Sequence, residues 1–328
     1  MANVSQGTVS LALRNDGSIP LETRQRIQKI AKQLHYQVDP MVSSLMRQRS
    51  KRNADRFQAK IAFITTGETR KAWKSYSFPS RCFSGAKHAA KQHRYSIEDY
   101  WYKEPNLAQI LWTQNVQGLV VSPLEREFLP LSFQWNDFAA VTLDFSLPEA
   151  GIHRVVANHV KPMLQIVDGI ERRGYRRPAL IIREDQDERS DHVRLGAFLS
   201  KCFRSPKLKP CEPLVYSEEQ SLALEFPNWF KKAKPDVIVA EHPASLATVR
   251  SVGIQVPKDV GFVCFYLVSG KNPSRVSGIE EKTRLLGVAA CERLIELIEN
   301  NQRGPIKHPT VTTVPVYKWF EGKTLPYR

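Results

Sequence analysis

Two rhythms of apolar and polar positions divide this chain. In "VSQGTVSLAL", residues 4–13, Val9, Ala12 and Leu13 line one face at helical spacing. In "IPLETRQRIQKIAKQLHY", residues 19–36, Ile27, Ile30, Ala31 and Leu34 repeat that spacing over about four turns. Pro20 suits the first turn of this second helix, Glu22 lies near its positive end, and the intervening "RNDGS" has turn chemistry. Next, "DPMVSSLMRQRS" offers Asp39 as an N-cap and Pro40 at the first position of a third helix, too short to persist alone in water. From Met46 to Lys60 the residues are polar and basic, as in a linker.

Beyond Lys60 the rhythm changes. "AKIAFIT", "QGLVVSP", "FAAVTLDFS", "RPALIIRED", "PDVIVAEH" and "DVGFVCFY" are short apolar strands. Between and after them come helical patterns: "FSGAKHAAKQHRY", "VKPMLQIVDGIERRGY", "HVRLGAFLSKC", "ASLATVRSVG" and the long "EKTRLLGVAACERLIELIENN". Strands alternating with helices predict βαβ units and parallel sheets covered on both faces. Such a long alternation exceeds one sheet, so the expected architecture is α/β with two lobes behind a small all-α headpiece.

Charge sharpens this division. The chain carries a net +15, and residues 1–60 hold eleven Lys/Arg against four Asp/Glu, a net of +7 on less than a fifth of the length. A basic excess gathered in small helices favours a polyanionic partner such as nucleic acid. The five cysteines (Cys82, Cys202, Cys211, Cys264, Cys291) are scattered without C-x-x-C spacing, which argues against a disulfide framework or a zinc site. No run approaches a membrane span and no export signal opens the sequence, so it reads as cytoplasmic, with no cofactor and no metal expected.

In that order, "VSQGTVSLALRND", "IPLETRQRIQKIAKQLHYQVDP", a short hinge ending in Leu45 and an α/β body resemble the lactose and galactose repressor (LacI/GalR) family of transcription regulators. "GYRRPALI", "VGIQVPKDVGFV" and "GVAACERLIELI" match further family patterns, so the resemblance covers essentially the whole chain. It implies a helix-turn-helix headpiece at 1–38, a hinge helix and linker at 39–56, and an effector-binding and dimerisation body at 57–328. The body is of the two-lobed type I periplasmic-binding-protein-like fold, with one lobe at 57–148 and 283–311 and the other at 149–282 and 312–328. Crossings between lobes are expected near 144–152, 278–283 and 309–314.

The resemblance also makes "VSQGTVSLAL" the recognition helix, ordinarily preceded by a first helix that packs on Val9 and Leu13. The expectation is a start at an internal methionine or a truncated gene, with weak DNA binding that upstream codons would restore. On the recognition helix, Gln6, Gly7 and Leu11 fall where the family reads base edges, and Ser5, Thr8 and Ser10 where hydroxyls reach phosphates. Leu45 falls at the leucine that members wedge into the minor groove, with Met41 and Val42 beside it. Arg47, with Arg49, Lys51 and Arg52, fits phosphate neutralisation. The partners so implied are a pseudo-palindromic double-stranded operator, a small-molecule effector of carbohydrate type and a second copy of the chain.

In the cleft, Asp144 keeps the family's effector-contacting acid, although a carboxylate there could equally cap a helix. Glu241 and His242 stand where members carry Asn-Asp, and Tyr266 where they carry the first acid of a paired motif. His192 aligns with an arginine that clamps the ligand, with Arg194 two residues on, and Glu281 aligns with a Gln or Asn. The replacements suggest a more aromatic cleft, and the last fifty residues resemble xylose-type members. An enzyme is disfavoured: the sequence holds no G-x-G-x-x-G, no G-x-x-x-x-G-K-[ST] and no G-x-S-x-G, and Asp185, Asp187 and Glu188 read as a solvated acidic loop. The alternatives are a sugar-binding protein, or a degenerate regulator without competent DNA binding.

Overall fold

The computed structural model describes residues 4–13, 15–34, 59–123, 133–145, 147, 150–268, 270, 272, 275–315 and 317–328. The hinge residues Met41, Val42, Leu45 and Arg47, and the linker after them, lie outside the described residues.

The headpiece comprises α1 (Gln6–Leu13) and α2 (Leu21–Gln33). Their contact is small: Ala12 and Ile27 are buried, whereas Leu34, expected on the apolar face, is exposed. Polar bonds shape the turn between them. Arg24 donates to the backbone and side-chain oxygens of Asn15, at 3.1 and 3.0 Å, and Gln28 donates to the Ala12 carbonyl at 3.1 Å. Asn15 takes a left-handed conformation, φ 59°, which asparagine tolerates better than most residues.

The body holds two six-stranded sheets. The first has the order β11 (Val311–Val314), β5 (His153–Ala157), β4 (Ala139–Leu143), β3 (Val116–Val121), β1 (Lys60–Thr65) and β2 (Ser96–Trp101), all parallel. The second has the order β12 (Tyr317–Phe320), β10 (Ser277–Glu281), β9 (Gly261–Val268), β8 (Val237–Ala240), β6 (Pro178–Arg183) and β7 (Leu214–Tyr216). Only β12 runs antiparallel among them. The central strands are apolar nearly throughout, as strands buried on both faces must be.

Helices α3 (Ser77–Gln92), α4 (Leu107–Thr113) and α10 (Thr283–Glu299) serve the first sheet. The second carries α5 (Val160–Arg172), α6 (Glu184–Arg189), α7 (Val193–Phe203), α8 (Glu219–Ala233) and α9 (Ser245–Ser251). The acidic segment 185–188 is therefore helical rather than a loop, and Asp187 within it is buried.

The chain returns to the first sheet between Glu281 and Thr283 and leaves it again between Val314 and Tyr317; β11 pairs with β5, so 312–314 lie with the first lobe and not, as expected, with the second. The first crossing comes later than expected. β5 stays in the first sheet, pairing Val141 with His153 and Leu143 with Val155, so the chain crosses after Ala157 and not within 144–152. Residues 153–157 therefore belong with the first lobe: Val155, Val156 and Ala157 bury their side chains there, and β11 completes the pairing on their other edge.

α3 and α10 cross almost backbone to backbone. A β-carbon on Gly85 would stand 1.9 Å from the Arg284 carbonyl oxygen, and one on Gly287 would stand 1.9 Å from that of Cys82. The two glycines thus make a reciprocal notch, and Ala86, Ala89, Ala90, Ala290 and Cys291 fill the rest of the interface. Past the end of α10, Asn301 donates from its side chain to the Asn15 carbonyl of the headpiece turn at 2.7 Å.

Candidate functional site

The recognition helix begins with its own hydroxyls engaged. Ser5 Oγ accepts from the Thr8 backbone N–H at 3.2 Å and lies 2.9 Å from Thr8 Oγ1, which satisfies one of the open donors at a helix start. Ser5 and Gly7 are exposed, and Thr8 and Leu11 are half-buried. Gln6 and Ser10 lie on the same helix; their side chains fall outside the described set.

At the C-terminal ends of the strands, between the two sheets, charged side chains from distant parts of the chain meet. Asp144 follows β4 and adopts φ 58°, a costly left-handed conformation for a non-glycine residue. Its Oδ1 lies 3.4 Å from His159 Nε2, and His159 sits between β5 and α5, where the chain enters the second lobe. Arg194, in the first turn of α7, donates Nη2 to His159 Nδ1 at 3.2 Å and brings Nη1 within 3.5 Å of Glu241, just after β8. Glu281 ends β10, with Oε1 3.9 Å from His159 Nδ1.

The His159 tautomer follows from its partners. A guanidinium only donates, so Nδ1 accepts from Arg194, and the ring proton sits on Nε2, facing Asp144. Burial, with Arg194 adjacent, lowers the pKa of His159, so the ring is neutral at pH 7. Burial opposes ionisation of Asp144, but the His159 hydrogen bond and the Arg194 charge prevail and hold its carboxyl below the usual value. Burial raises Glu241, offset in part by Arg194 and Arg183. Glu281 is pushed up to about 7 by burial, against the pull of Arg194 and with the repulsion of Asp144 and Glu241.

Aromatic rings flank these charges. Phe145 stacks on His159 at 5.7 Å, Tyr266 on β9 stacks with His242 at 6.4 Å, and the Arg194 guanidinium lies 5.3 Å from the centre of Phe265. Burial raises the pKa of Tyr266, against a smaller opposing effect of Ser77 at the start of α3. The Asp144–His159 contact joins the first lobe to the entry of the second.

Of the six cleft residues expected from the sequence, Asp144, Arg194, Glu241 and Glu281 share this network and Tyr266 forms its wall. His192 stands apart. Its ring is 64% exposed and bonds Asp187 at 2.7 Å, an interaction that raises the His192 pKa. It precedes α7 in a left-handed conformation, φ 56°, so Arg194, and not His192, enters the network. His159 is not among the residues the sequence singles out; its one signal is a histidine in "NHVKPM", at a strand-to-helix junction. Among the described residues, no group of three His, Cys, Asp or Glu is placed to hold a metal ion, and no helix is long and apolar enough to cross a membrane.

The chain is similar in sequence pattern and fold to known proteins. Residues 1–39 match the model of bacterial regulatory proteins of the lacI family, and residues 167–324 match that of a periplasmic binding protein-like domain. The HTH-type transcriptional regulator PtxS of Pseudomonas putida is 25% identical over 311 residues, 90% of this chain and 86% of its own length. The regulator pepR1 of Lactobacillus delbrueckii is 22% identical, over 91% of this chain and 89% of its own. Among solved structures, the complex of the transcriptional regulator CelR with cellobiose superposes with a TM-score of 0.66 at 19% identity, covering 98% of this chain and 97% of that one. The lac repressor dimer bound to operator and the anti-inducer ONPF gives 0.62 at 17% identity, covering 99% and 96%. One model on its helical headpiece, the other on about half of its α/β body, and relatives matching along nearly its whole length make the chain similar to bacterial regulatory proteins of the lacI family, with a periplasmic binding protein-like domain behind the headpiece.

Proposed function

We propose that this chain is a cytoplasmic transcription repressor that binds operator DNA as a homodimer and is governed by a small carbohydrate held in the cleft. Two-fold symmetry presents two headpieces to an inverted repeat. In each, Gln6, Gly7 and Leu11 meet base edges, Ser5, Thr8 and Ser10 meet phosphates, and Met41, Val42, Leu45 and Arg47 serve the operator centre. Asp144, Glu241 and Glu281 accept from sugar hydroxyls, Arg194 donates, and Tyr266 supplies an apolar face. His159 holds Asp144 and Arg194 in register. His192 acts one step removed, by fixing the start of α7.

One observation carries the reading. Residues from after β4, before α5, on α7, after β8 and at the end of β10 converge on a single charged cluster, joined by hydrogen bonds at Asp144, His159 and Arg194, where the lobes meet. Such convergence at the carboxyl ends of parallel strands is where α/β folds bind small ligands. Relatives solved with cellobiose or with operator DNA lend it further support. A ligand that binds the two lobes differently shifts their arrangement and with it the affinity for DNA. The site is one of binding, so a bound sugar is recovered unchanged.

The test is selection from a random duplex pool followed by gel shift at moderate ionic strength. The expected result is an enriched inverted repeat, bound ~10³-fold or more tightly than scrambled sequence and more weakly once the effector is added. Failure to enrich any repeat overturns the reading; sugar binding without duplex selection would make the chain a binding lobe alone.

A further inference from the structure

The cleft is unevenly matched in charge. Three carboxylates, Asp144, Glu241 and Glu281, surround one guanidinium, Arg194, and one neutral imidazole, His159. Arg194 is already committed to His159, Glu241 and the face of Phe265. Arg183 pairs with Asp185; Arg189, bonded to the neutral Gln186, keeps its charge and acts on Asp144 and Glu241 but not on Glu281.

Glu281 fares worst. Its side chain is 8% exposed, and its nearest basic atom, His159 Nδ1, is 3.9 Å away, beyond hydrogen-bond reach. That nitrogen accepts from Arg194 and has no proton to give. A nine-tenths buried carboxylate thus faces the cleft with no hydrogen bond from any described residue. Buried acids are held either by a proton or by a cationic donor. Among the described residues no lysine or second guanidinium pairs with Glu281, while the cleft offers the aromatic faces of Phe145 and Tyr266.

We propose that the cleft selects an amine-bearing carbohydrate, whose ammonium pairs with Glu281 and whose hydroxyls donate to Asp144 and Glu241, over neutral sugars and sugar acids. This rests on the reading of the cleft as the effector site. An ammonium removes part of the net negative charge left by three carboxylates around one guanidinium. A sugar acid adds a fourth carboxylate around the same guanidinium and deepens the imbalance. A neutral sugar satisfies acceptors and leaves the charge standing.

Titration calorimetry on the whole chain at pH 7 tests the idea. The probes are D-glucosamine, D-galactosamine and D-mannosamine, their three neutral parents, and D-glucuronate and D-galacturonate. At least one hexosamine is expected to bind tenfold or more tightly than its parent, with both uronates weaker than their parents. In Glu281→Gln the ratio of hexosamine to parent affinity falls towards one, and thermal melting shows that this variant remains folded. A parent or a uronate as the tightest ligand, a hexosamine advantage that survives in Glu281→Gln, or no binding by any hexosamine overturns the selection. Asp144→Ala separates the two levels: a neutral sugar or uronate that binds the unaltered chain and is lost in this variant leaves the cleft as effector site and removes only the amine preference.

Discussion

Two buried regions of the body solve the problem of close approach in opposite ways. At the crossing of α3 and α10, Gly85 and Gly287 remove side chains altogether, so the backbones touch. In the cleft, chain segments keep their distance and fill the space with long charged side chains whose partners do not balance. The first region is rigid because any added atom meets backbone. The second is built to be completed, since its least satisfied group, Glu281, improves when something enters.

The sharpest way to break this contrast is to add one carbon at the crossing. Gly287→Ala places a methyl where the Cys82 carbonyl already stands, so the helices must separate, and a loss of about 3 kcal/mol or more is expected in urea or thermal unfolding. Next comes removal of charge from the cleft. Glu281 has its folded pKa raised to about 7 from the ordinary 4.5. The stability tied to its protonated form is fully present below about pH 4.5 and is lost as the pH rises through 7. Glu281→Gln therefore stabilises the chain at pH 8 by on the order of 2–3 kcal/mol, and the gain vanishes near pH 4.5 in paired melts. Equal melting shifts at both pH values would remove the imbalance on which the contrast depends. The smallest effect belongs to a glycine of the other kind. Gly196 on α7 has nothing within 4 Å of a notional β-carbon, so Gly196→Ala raises stability by roughly 0.5–1 kcal/mol. Opposite signs for the two alanines are the result to look for.

Much of the fold was legible because alternation of apolar strands and amphipathic helices is a local property. The lobe to which a strand belongs is not. "HRVVA" joins the first sheet because Leu143 and Val311–Val314 flank it, and nothing in its own five residues records those neighbours. Segment 184–189 looked like a solvated loop because its charges dominate; burial of Asp187 against His192 emerges only once β6 and α7 bracket it. In the cleft, only family resemblance singles out Asp144, Arg194, Glu241 and Glu281, since no spacing links residues so far apart. His159 escaped because a lone histidine before a helix reads as a loop residue. Its role exists only when Asp144 and Arg194 arrive on either side, each fixing one ring nitrogen.

The single stretch Thr283–Glu299 starts next to Glu281, is pinned at its second turn by the glycine notch, and ends beside Asn301, which grips the headpiece turn at Asn15. At 1.5 Å per residue it reaches about 25 Å, buried along its length against the first sheet and α3, so one packed helix spans from the crevice to the headpiece turn inside one subunit.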